Sequence, residues 1–576
     1  MTGTRNFTEH ILARAAETPD REALVVLPDR EGPARPTPIS YRALDSAAKR
    51  LAGWLQDRGA AGERVLILHA SRRQFAVSFL ACLYAGAIAV PSAPPGGRRH
   101  HEARIAGIVK DATPCVALTD AAAAPDVSRL LAQYGYGHIP CLAADVVPQS
   151  APWHEPELTG DSVAFLQYTS GSTRDPRGVM VTHGNLMANH LTISRSLGTS
   201  SESVLGGWLP FHHDMGLVGQ LLHPLWLGAT SVLLSPEAFV RRPTRWLEAI
   251  AQHRITVSGA PDFGYELCVR AAERGPLPEL DLSGWTTAVT GGEPIRAETL
   301  REFTAAFAPS GFRAEALTAG YGLAEATLLV ASGPCGTGRE VDATALEQRG
   351  LVAPKPDLPT RSLVPSGTVA GTGILIVGHD RGDVLPDGEV GEIWIRGDSV
   401  APGYWRRPGE SAQTFGGCTA DGRRGFLRTG DLGAVEDGVL YVTGRVKDMI
   451  VVTGRNLYPQ DMEQMVQQVS TLFGSASAFS VRGDDERVVF VQELRARSQY
   501  NVDLAELTAA VERCLHREFE VKVGAVLLVR PGTVRRTTSG KVERAAMRRL
   551  FLRGELPALH QSVKPELDAL LAGSRR

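Results

Sequence analysis

RVLILHASRRQFAVSFLACLYAGAIAVPS, residues 64–92, is the stretch that decides the fold. It opens on a strand-like run (RVLILHA), continues through a helical run (RRQFAVSFLACLYAG) and ends on a second strand-like run (AIAVPS). That order is a βαβ unit, which implies a parallel sheet with helices on its faces. The apolar segment from Phe75 to Val90 falls short of the roughly 18 residues a membrane-spanning helix needs, so it reads as a buried helix turning into a strand.

Working outward, the same rhythm recurs. VAFLQYT (163–169), TSVLL (230–234), TVSGA (256–260) and TTAVTGG (286–292) are apolar strands that each run into a loop of small or polar residues. In doubly wound sheets such loops, at the carboxyl ends of strands, form the ligand crevice. After about residue 365 the texture changes to short strands punctuated by Gly and Pro (TGILIVG, GEIWIRG, GVLYVTG), which predicts a small β subdomain. Beyond Lys447 an α/β pattern returns: strand DMIVVTG, a helix beginning near Asp461, strand VVFVQEL and helix DLAELTAAVERCLHREF. The polar, proline-bearing segment 336–366 lies between the two textures; it reads as a surface loop, though loops of this length inside compact domains are often functional.

The 576 residues carry 61 Lys+Arg against 63 Asp+Glu, a formal net charge of −2, with 43% hydrophobic residues. That balance excludes a disordered chain and a grossly basic nucleic-acid binder. Seven scattered cysteines form no CxxC pair and point to a reducing compartment, hence the cytoplasm. The N-terminus mixes charges through its only apolar stretch, so no signal peptide is expected.

Several short motifs carry chemistry. In YTSGSTRDPRGV (168–179) a strand delivers the chain into Thr169, Ser170, Gly171, Ser172 and Thr173, where small residues let backbone N–H groups approach a phosphate. An ordinary linker is the competing reading, and the GxxxxGK[ST] nucleotide loop is absent. In WLPFHHDMGLVGQLLHPLWLGA (208–229), His212, His213 and Asp214 are read on an extended chain, where neighbours point to opposite faces and do not share one metal. A structural or gating histidine is preferred there to a proton-transfer role. The glycine-rich apolar stretch that follows is helix-like, lining a pocket or packing in the core.

GGEPI (291–295) and AGYGLAEAT (319–327) supply glycines for close approach, the aromatic face of Tyr321 and the Glu325 carboxylate, a hard ligand suited to Mg²⁺. RTGDLG (428–433) holds Asp431, suited to accept from ribose hydroxyls or else a surface-turn aspartate. RRTTSGKVER (535–544) carries Lys541 in a polar loop or solvated basic tail.

The ordered series YTSGSTRDPRGV, WLPFHHDMGL, GGEPI, YGLAEAT, RTGDLG, GRVKDMIVVTGRN and TTSGK resembles the adenylate-forming superfamily over nearly the whole chain. Within it the chain looks most like the fatty acyl-AMP ligases. STRDPRGV, HDMGL and VVTGRNLYPQDME carry that likeness, and 336–366 lies where these ligases bear an insertion that packs on the large domain and hampers the rotated state that accepts coenzyme A.

The resemblance implies an α/β fold: a large N-terminal domain (1–446) of doubly wound sheets with a β-barrel-like subdomain near 367–445, and a small mobile α+β domain (447–576). It implies ATP and Mg²⁺ as cofactors, a fatty acid as substrate, and an acyl carrier protein acting in trans, with no nucleic acid and no membrane insertion. By family likeness Thr169 to Thr173 hold the ATP phosphates, with Thr173 and Glu325 at Mg²⁺. Gly292, Glu293, Pro294, Tyr321 and Gly322 border the adenine, and Asp431 and Arg445 hold the ribose. His213, Asp214, Met215 and Gly216 border the acyl pocket, Lys447 and Asp448 mark a hinge, and Lys541 touches the reacting carboxylate and the α-phosphate.

Two positions depart from the superfamily: Arg177 replaces the usual lysine, changing donor geometry at equal charge, and Ala324 replaces a threonine, a feature the acyl-AMP ligases share. An acyl-CoA synthetase is the alternative within this chemistry. A non-catalytic acyl-nucleotide binder is disfavoured by the retention of Glu325, Asp431 and Lys541.

Overall fold

A computed structural model describes residues 6–29, 35–96, 99–147, 152–168, 176–275, 279–347, 350–354, 360–369, 373–378, 382–452, 455–482, 486–495, 502–537, 540–565 and 567. The βαβ unit forms as the sequence dictates. Strands Arg64–Ile67 and Ile88–Pro91 pair in parallel, joined by helix Arg72–Tyr84, whose N-terminus is capped by the Ser71 side chain. That helix is buried along almost its whole length, which explains its unbroken apolarity. Phe79 packs edge-on against Phe165 of the neighbouring strand, and Phe75 against Phe211.

These strands belong to a six-stranded sheet that ends in the antiparallel pair Val163–Tyr168 and Gly178–Thr182. A second, larger sheet has a parallel core in the order Leu317–Gly322, Thr287–Gly291, Val257–Ala260, Val204–Gly207, Thr230–Leu233, Glu22–Val26. Its loops leave at the same, carboxyl, end. The strands after residue 365 form no separate sheet: Thr368–Val369 pairs with both Leu329–Pro334 and Val439–Arg445, so hydrogen bonding runs continuously from the parallel core into the β subdomain.

Beyond Lys447 a four-stranded sheet (Phe473–Arg482, Glu486–Leu494, Val523–Val529, Ala558–Val563) has both faces covered. Helices Pro459–Gln467 and Leu504–Phe519 bury Met462, Val466, Val511 and Leu515 on one face; helix Arg544–Leu552 buries Met547 and Phe551 on the other. Each face therefore has its own apolar core.

The described residues of segment 336–366 form more than a surface loop. Arg339–Asp342 pairs antiparallel with Thr360–Leu363, and Val341, Leu346 and Leu363 bury with Leu432, Ala434 and Tyr458. The seven cysteines are free thiols, and no helix among the described residues is long and apolar enough to cross a membrane.

Candidate active site

The carboxyl ends of the large sheet's parallel strands and the loops beyond Lys447 enclose one cavity of about 1590 Å³. Lys541 enters it from a tight hairpin in which Arg536 and Val542 bridge, Thr537 N donates to Lys541 O (2.7 Å) and Gly540 N to Thr537 O (2.9 Å). Gly540 takes a left-handed φ of +89°, and a Cβ there would lie 2.8 Å from the Phe263 ring, so only glycine lets the hairpin seat against the larger half.

Lys541 shares this space with carboxylates. Burial, reinforced by Arg445, pulls its ammonium below the ordinary lysine value, while Asp214, Asp431 and Glu293 pull the other way. Burial raises Asp214, and Lys541 opposes that rise. Glu293 is pushed up to about 7 by burial; its Oε1 accepts from Phe263 N at 2.8 Å. Gly292, Glu293 and Pro294 all border the cavity. Close backbone packing beside them explains Gly291, where a Cβ would meet Gly320 O at 2.1 Å.

Asp431 and Arg445 face each other on paired antiparallel strands, and Arg445 Nε lies 2.7 Å from Asp431 Oδ1. The Tyr321 hydroxyl donates to Asp431 Oδ2 at 2.9 Å. Tyr321 and Asp431 are buried while the Arg445 side chain is 42% exposed, and together with Gly322 they form one wall. Glu325 lies on a short helical turn whose Oε1 accepts from the Tyr404 hydroxyl at 2.8 Å. Thr327, two residues on, is held at φ +71° by its hydroxyl's bond to Ser399 O (2.7 Å), a strained backbone of the kind stored at functional sites. Arg177 borders the cavity but is ion-paired to Glu410 (3.1 Å), its guanidinium 5.3 Å from the Tyr404 ring centre.

The His212–Asp214 segment is not extended. A turn brings the two histidine rings to 4.5 Å side by side, and a π-helix, Met215–Leu222, begins at once, capped by Asp214 Oδ1 accepting from Met215 N (2.8 Å). Its approach is pinned by Arg72, which donates to Trp208 O (2.7 Å) and Leu209 O (2.9 Å), and by Gln167, which donates to His212 O (2.8 Å). Burial keeps the His212 ring well below its ordinary pKa. His213, Asp214 and Met215 line the cavity. Gly216 does not: a Cβ there would meet Pro210 O at 2.2 Å, so this glycine serves packing. No cluster of metal-ligating side chains occurs among the described residues.

Lys447 and Asp448 line the cavity where the chain leaves the larger half. Arg544 reaches Asp448 Oδ2 (3.5 Å) and Glu463 Oε2 (2.6 Å). Thr169, Ser170, Gly171, Ser172 and Thr173 lie outside the described residues. The strand leading to them ends at Tyr168, whose hydroxyl donates to Asp111 Oδ2 at 2.8 Å and whose carbonyl accepts from Arg104.

Sequence reasoning missed Phe263, Tyr404 and Arg361. Tyr404, in APGYW, follows a Pro-Gly turn, the one local signal available. Arg361, on the strand Thr360–Leu363, makes a 3.1 Å ion pair with Asp461, lies over the Tyr458 ring and donates to Thr443 O.

The profile of the AMP-binding enzyme family matches residues 11–405, and that of the Disco-interacting protein 2-like AMP domain matches 447–561. The medium-chain-fatty-acid–[acyl-carrier-protein] ligase JamA of Moorena producens is 38% identical over 91% of this chain and 92% of its own length. The long-chain-fatty-acid–AMP ligase of Mycolicibacterium smegmatis is 35% identical over 94% of this chain and 96% of its own. A fatty acyl-adenylate ligase of L. pneumophila, solved with acyl adenylate and pyrophosphate, superposes with a TM-score of 0.74 at 33% identity, covering 97% of this chain and 98% of that one.

Proposed function

The chain belongs to the AMP-binding enzyme family, and on that premise we propose that it is an ATP-dependent ligase that activates a fatty acid as its acyl-adenylate and passes the acyl group to the phosphopantetheine thiol of a separate acyl carrier protein. A carboxylate oxygen of the acid attacks the α-phosphorus of ATP, the bond to the β-phosphate oxygen breaks, and pyrophosphate leaves. Two anions must approach. Like unit charges about 4 Å apart repel by roughly 4 kcal/mol at an effective dielectric near 20, so fixed cations are required.

The observation that supports this reading is that Lys541, from the segment beyond Lys447, lines the same cavity as the Asp431–Arg445 pair. Lys541 offsets the charge gathering on the pentavalent phosphorus. Asp431 accepts from the ribose hydroxyls, with Tyr321 fixing its second oxygen. No nucleophilic side chain or proton transfer is needed, so the protein contributes position and electrostatics. Glu325 fits a magnesium ion that travels with the phosphates: Oε1 is held by Tyr404, and Oε2 has no donor among the described residues. When bound, Mg²⁺ supplies charge neutralisation at the transferring phosphate. Thr173 would complete that site by family likeness. The units 1–446 and 447–576 would then turn about Lys447 and Asp448, withdrawing the Lys541 hairpin to admit the thiol.

Purified protein incubated with ATP, Mg²⁺ and a panel of carboxylic acids, followed by mass detection with carrier protein, with coenzyme A and with neither, tests the reading. Acyl-adenylate alone without a thiol and acyl-carrier with one are expected. Accumulation of acyl-CoA would assign the acyl-CoA synthetase role instead, and absence of any adenylate would refute a ligase.

A further inference from the structure

Asp262 is 2% exposed, and a buried carboxylate is costly unless it is paired and hydrogen-bonded. It is the first residue of helix Asp262–Ala272, directly after strand Val257–Ala260 of the parallel core, yet its oxygens serve the neighbouring strand-to-helix link rather than its own helix. Oδ1 accepts from Arg296 N (3.0 Å), and Oδ2 accepts from Arg296 Nε (2.6 Å) and Thr299 Oγ1 (3.2 Å). One turn along the same helix, Glu266 Oε2 accepts from Arg296 Nη2 at 2.8 Å.

Arg296 stands at the start of helix Ala297–Phe307, and its own side chain does not cap that helix. Asp262 supplies from outside what a capping residue supplies from within: an anionic acceptor where the first N–H groups point outward and the helix dipole favours negative charge. Residues 292–296 are the whole link between strand Thr287–Gly291 and that helix. Phe263, next to Asp262, donates its N–H to Glu293 Oε1 (2.8 Å). Two successive residues of one helix therefore grip this short link at Glu293 and again at Arg296.

Gly292, Glu293 and Pro294 of the link border the cavity, and Tyr321 and Gly322 border it from the adjacent parallel strand Leu317–Gly322. The two strands are paired as far as Gly291 and Gly320, where a Cβ on Gly291 would meet Gly320 O at 2.1 Å. The floor of this slot thus has a fixed width. Past the floor, the position of the link sets how far its two walls stand apart.

We propose that Asp262 is the positioning residue of a nucleotide-base slot: by holding Arg296 it keeps the Gly292–Pro294 wall at the separation from Tyr321 that admits adenine and refuses a bulkier purine. The inference rests on the ligase reading above, in which these residues border the adenine. Asp262 acts through Arg296 and the link, so its loss changes how the base is held and leaves Lys541, Asp431 and Glu325 in place.

The test measures pyrophosphate release with ATP and with GTP, and ATP affinity by titration calorimetry without any acid present, for the unsubstituted protein, Asp262→Ala and Asp262→Asn. In Asp262→Ala, loss of hydrogen bonds to a charged group that holds a binding wall is expected to raise KM for ATP and weaken ATP affinity by about tenfold, with kcat and the KM for the fatty acid changing less than about threefold. The preference for ATP over GTP, read as the ratio of kcat/KM, is expected to fall by about fivefold or more, a change that loss of stability alone does not produce. Asp262→Asn keeps an oxygen for Arg296 N but loses the charge that holds the guanidinium. It should move the same quantities in the same direction by about threefold, and it decides the matter should Asp262→Ala fold poorly. Equal loss toward ATP and the fatty acid with an unaltered nucleotide preference, or parameters unchanged in both variants, overturns the assignment. An unsubstituted protein that binds no ATP and forms no adenylate would instead refute the ligase reading.

Discussion

Gly540 sits against the ring of Phe263 so closely that a Cβ would lie 2.8 Å from Cε1 and 3.2 Å from Cδ1. This contact joins the two halves of the molecule one residue before Lys541. Phe263 in turn donates its N–H to Glu293, so hairpin, aromatic ring and cavity wall are one mechanical unit.

Gly540→Ala is therefore expected to slow acyl-adenylate formation by about tenfold to 100-fold, because ångström-scale misplacement of a reacting group carries costs of that order. Phe263→Ala in the same chain removes the clash but not the left-handed φ, so it should restore part of the rate. Pyrophosphate release measured on both proteins decides; a single variant as fast as the parent would show that the hairpin seats without this fit.

Lys541 is the group that the hairpin delivers. Lys541→Ala should reduce pyrophosphate release by roughly 10²-fold or more, as when one preorganised donor is lost from a charge-stabilising site. Hydrolysis or thiolysis of chemically supplied acyl-adenylate should change much less, because in the proposed mechanism Lys541 acts only while the adenylate forms. Near-normal pyrophosphate release would remove Lys541 from the mechanism.

The reach of the sequence follows from how local each feature is. The βαβ unit at 64–92 was legible because a buried helix and two strands write their periods directly into consecutive residues. Asp431 and Arg445 were visible as motifs, and their pairing follows from antiparallel strands that bring 431 opposite 445. The Tyr404–Glu325 bond joins positions 79 residues apart through packing alone, and nothing in APGYW points to GLAEAT. The turn at His212 and His213 was read as extended because its cause, Arg72 and Gln167 holding the carbonyls around it, lies elsewhere in the chain. The continuity of the β subdomain with the main sheet is not legible in the sequence, because the strand that joins them, Thr368–Val369, is only two residues long.

The antiparallel pair Arg339–Asp342 and Thr360–Leu363 offers a different kind of test. Arg361, 16% exposed, bonds Asp461, 25% exposed, across the junction between the halves and lies over the Tyr458 ring. A part-buried pair of this kind contributes about 1 kcal/mol, a factor of about five in the population of a rotated state. Arg361→Ala should leave acyl-adenylate formation within about twofold and speed thiol transfer by about fivefold, read as acyl-thioester formed from preloaded enzyme. Unchanged transfer would mean that the pair does not restrain rotation.

Glu293 gives the pH dependence. Burial raises its carboxyl from 4.5 to about 7, so the folded protein binds this proton more tightly than the unfolded chain. The associated stability is fully present below pH 4.5 and is lost as pH rises through about 7, up to about 3 kcal/mol for the whole shift at 1.36 kcal/mol per unit. Glu293→Gln keeps an oxygen to accept from Phe263 N but never bears the charge. The variant's advantage in thermal unfolding temperature over the parent should be small near pH 5, grow through neutrality and level off above pH 8. Other titrating groups are common to both proteins and cancel in the difference. An advantage that shrinks with rising pH, or none at any pH, would show that the Glu293 carboxylate is solvated or paired in solution.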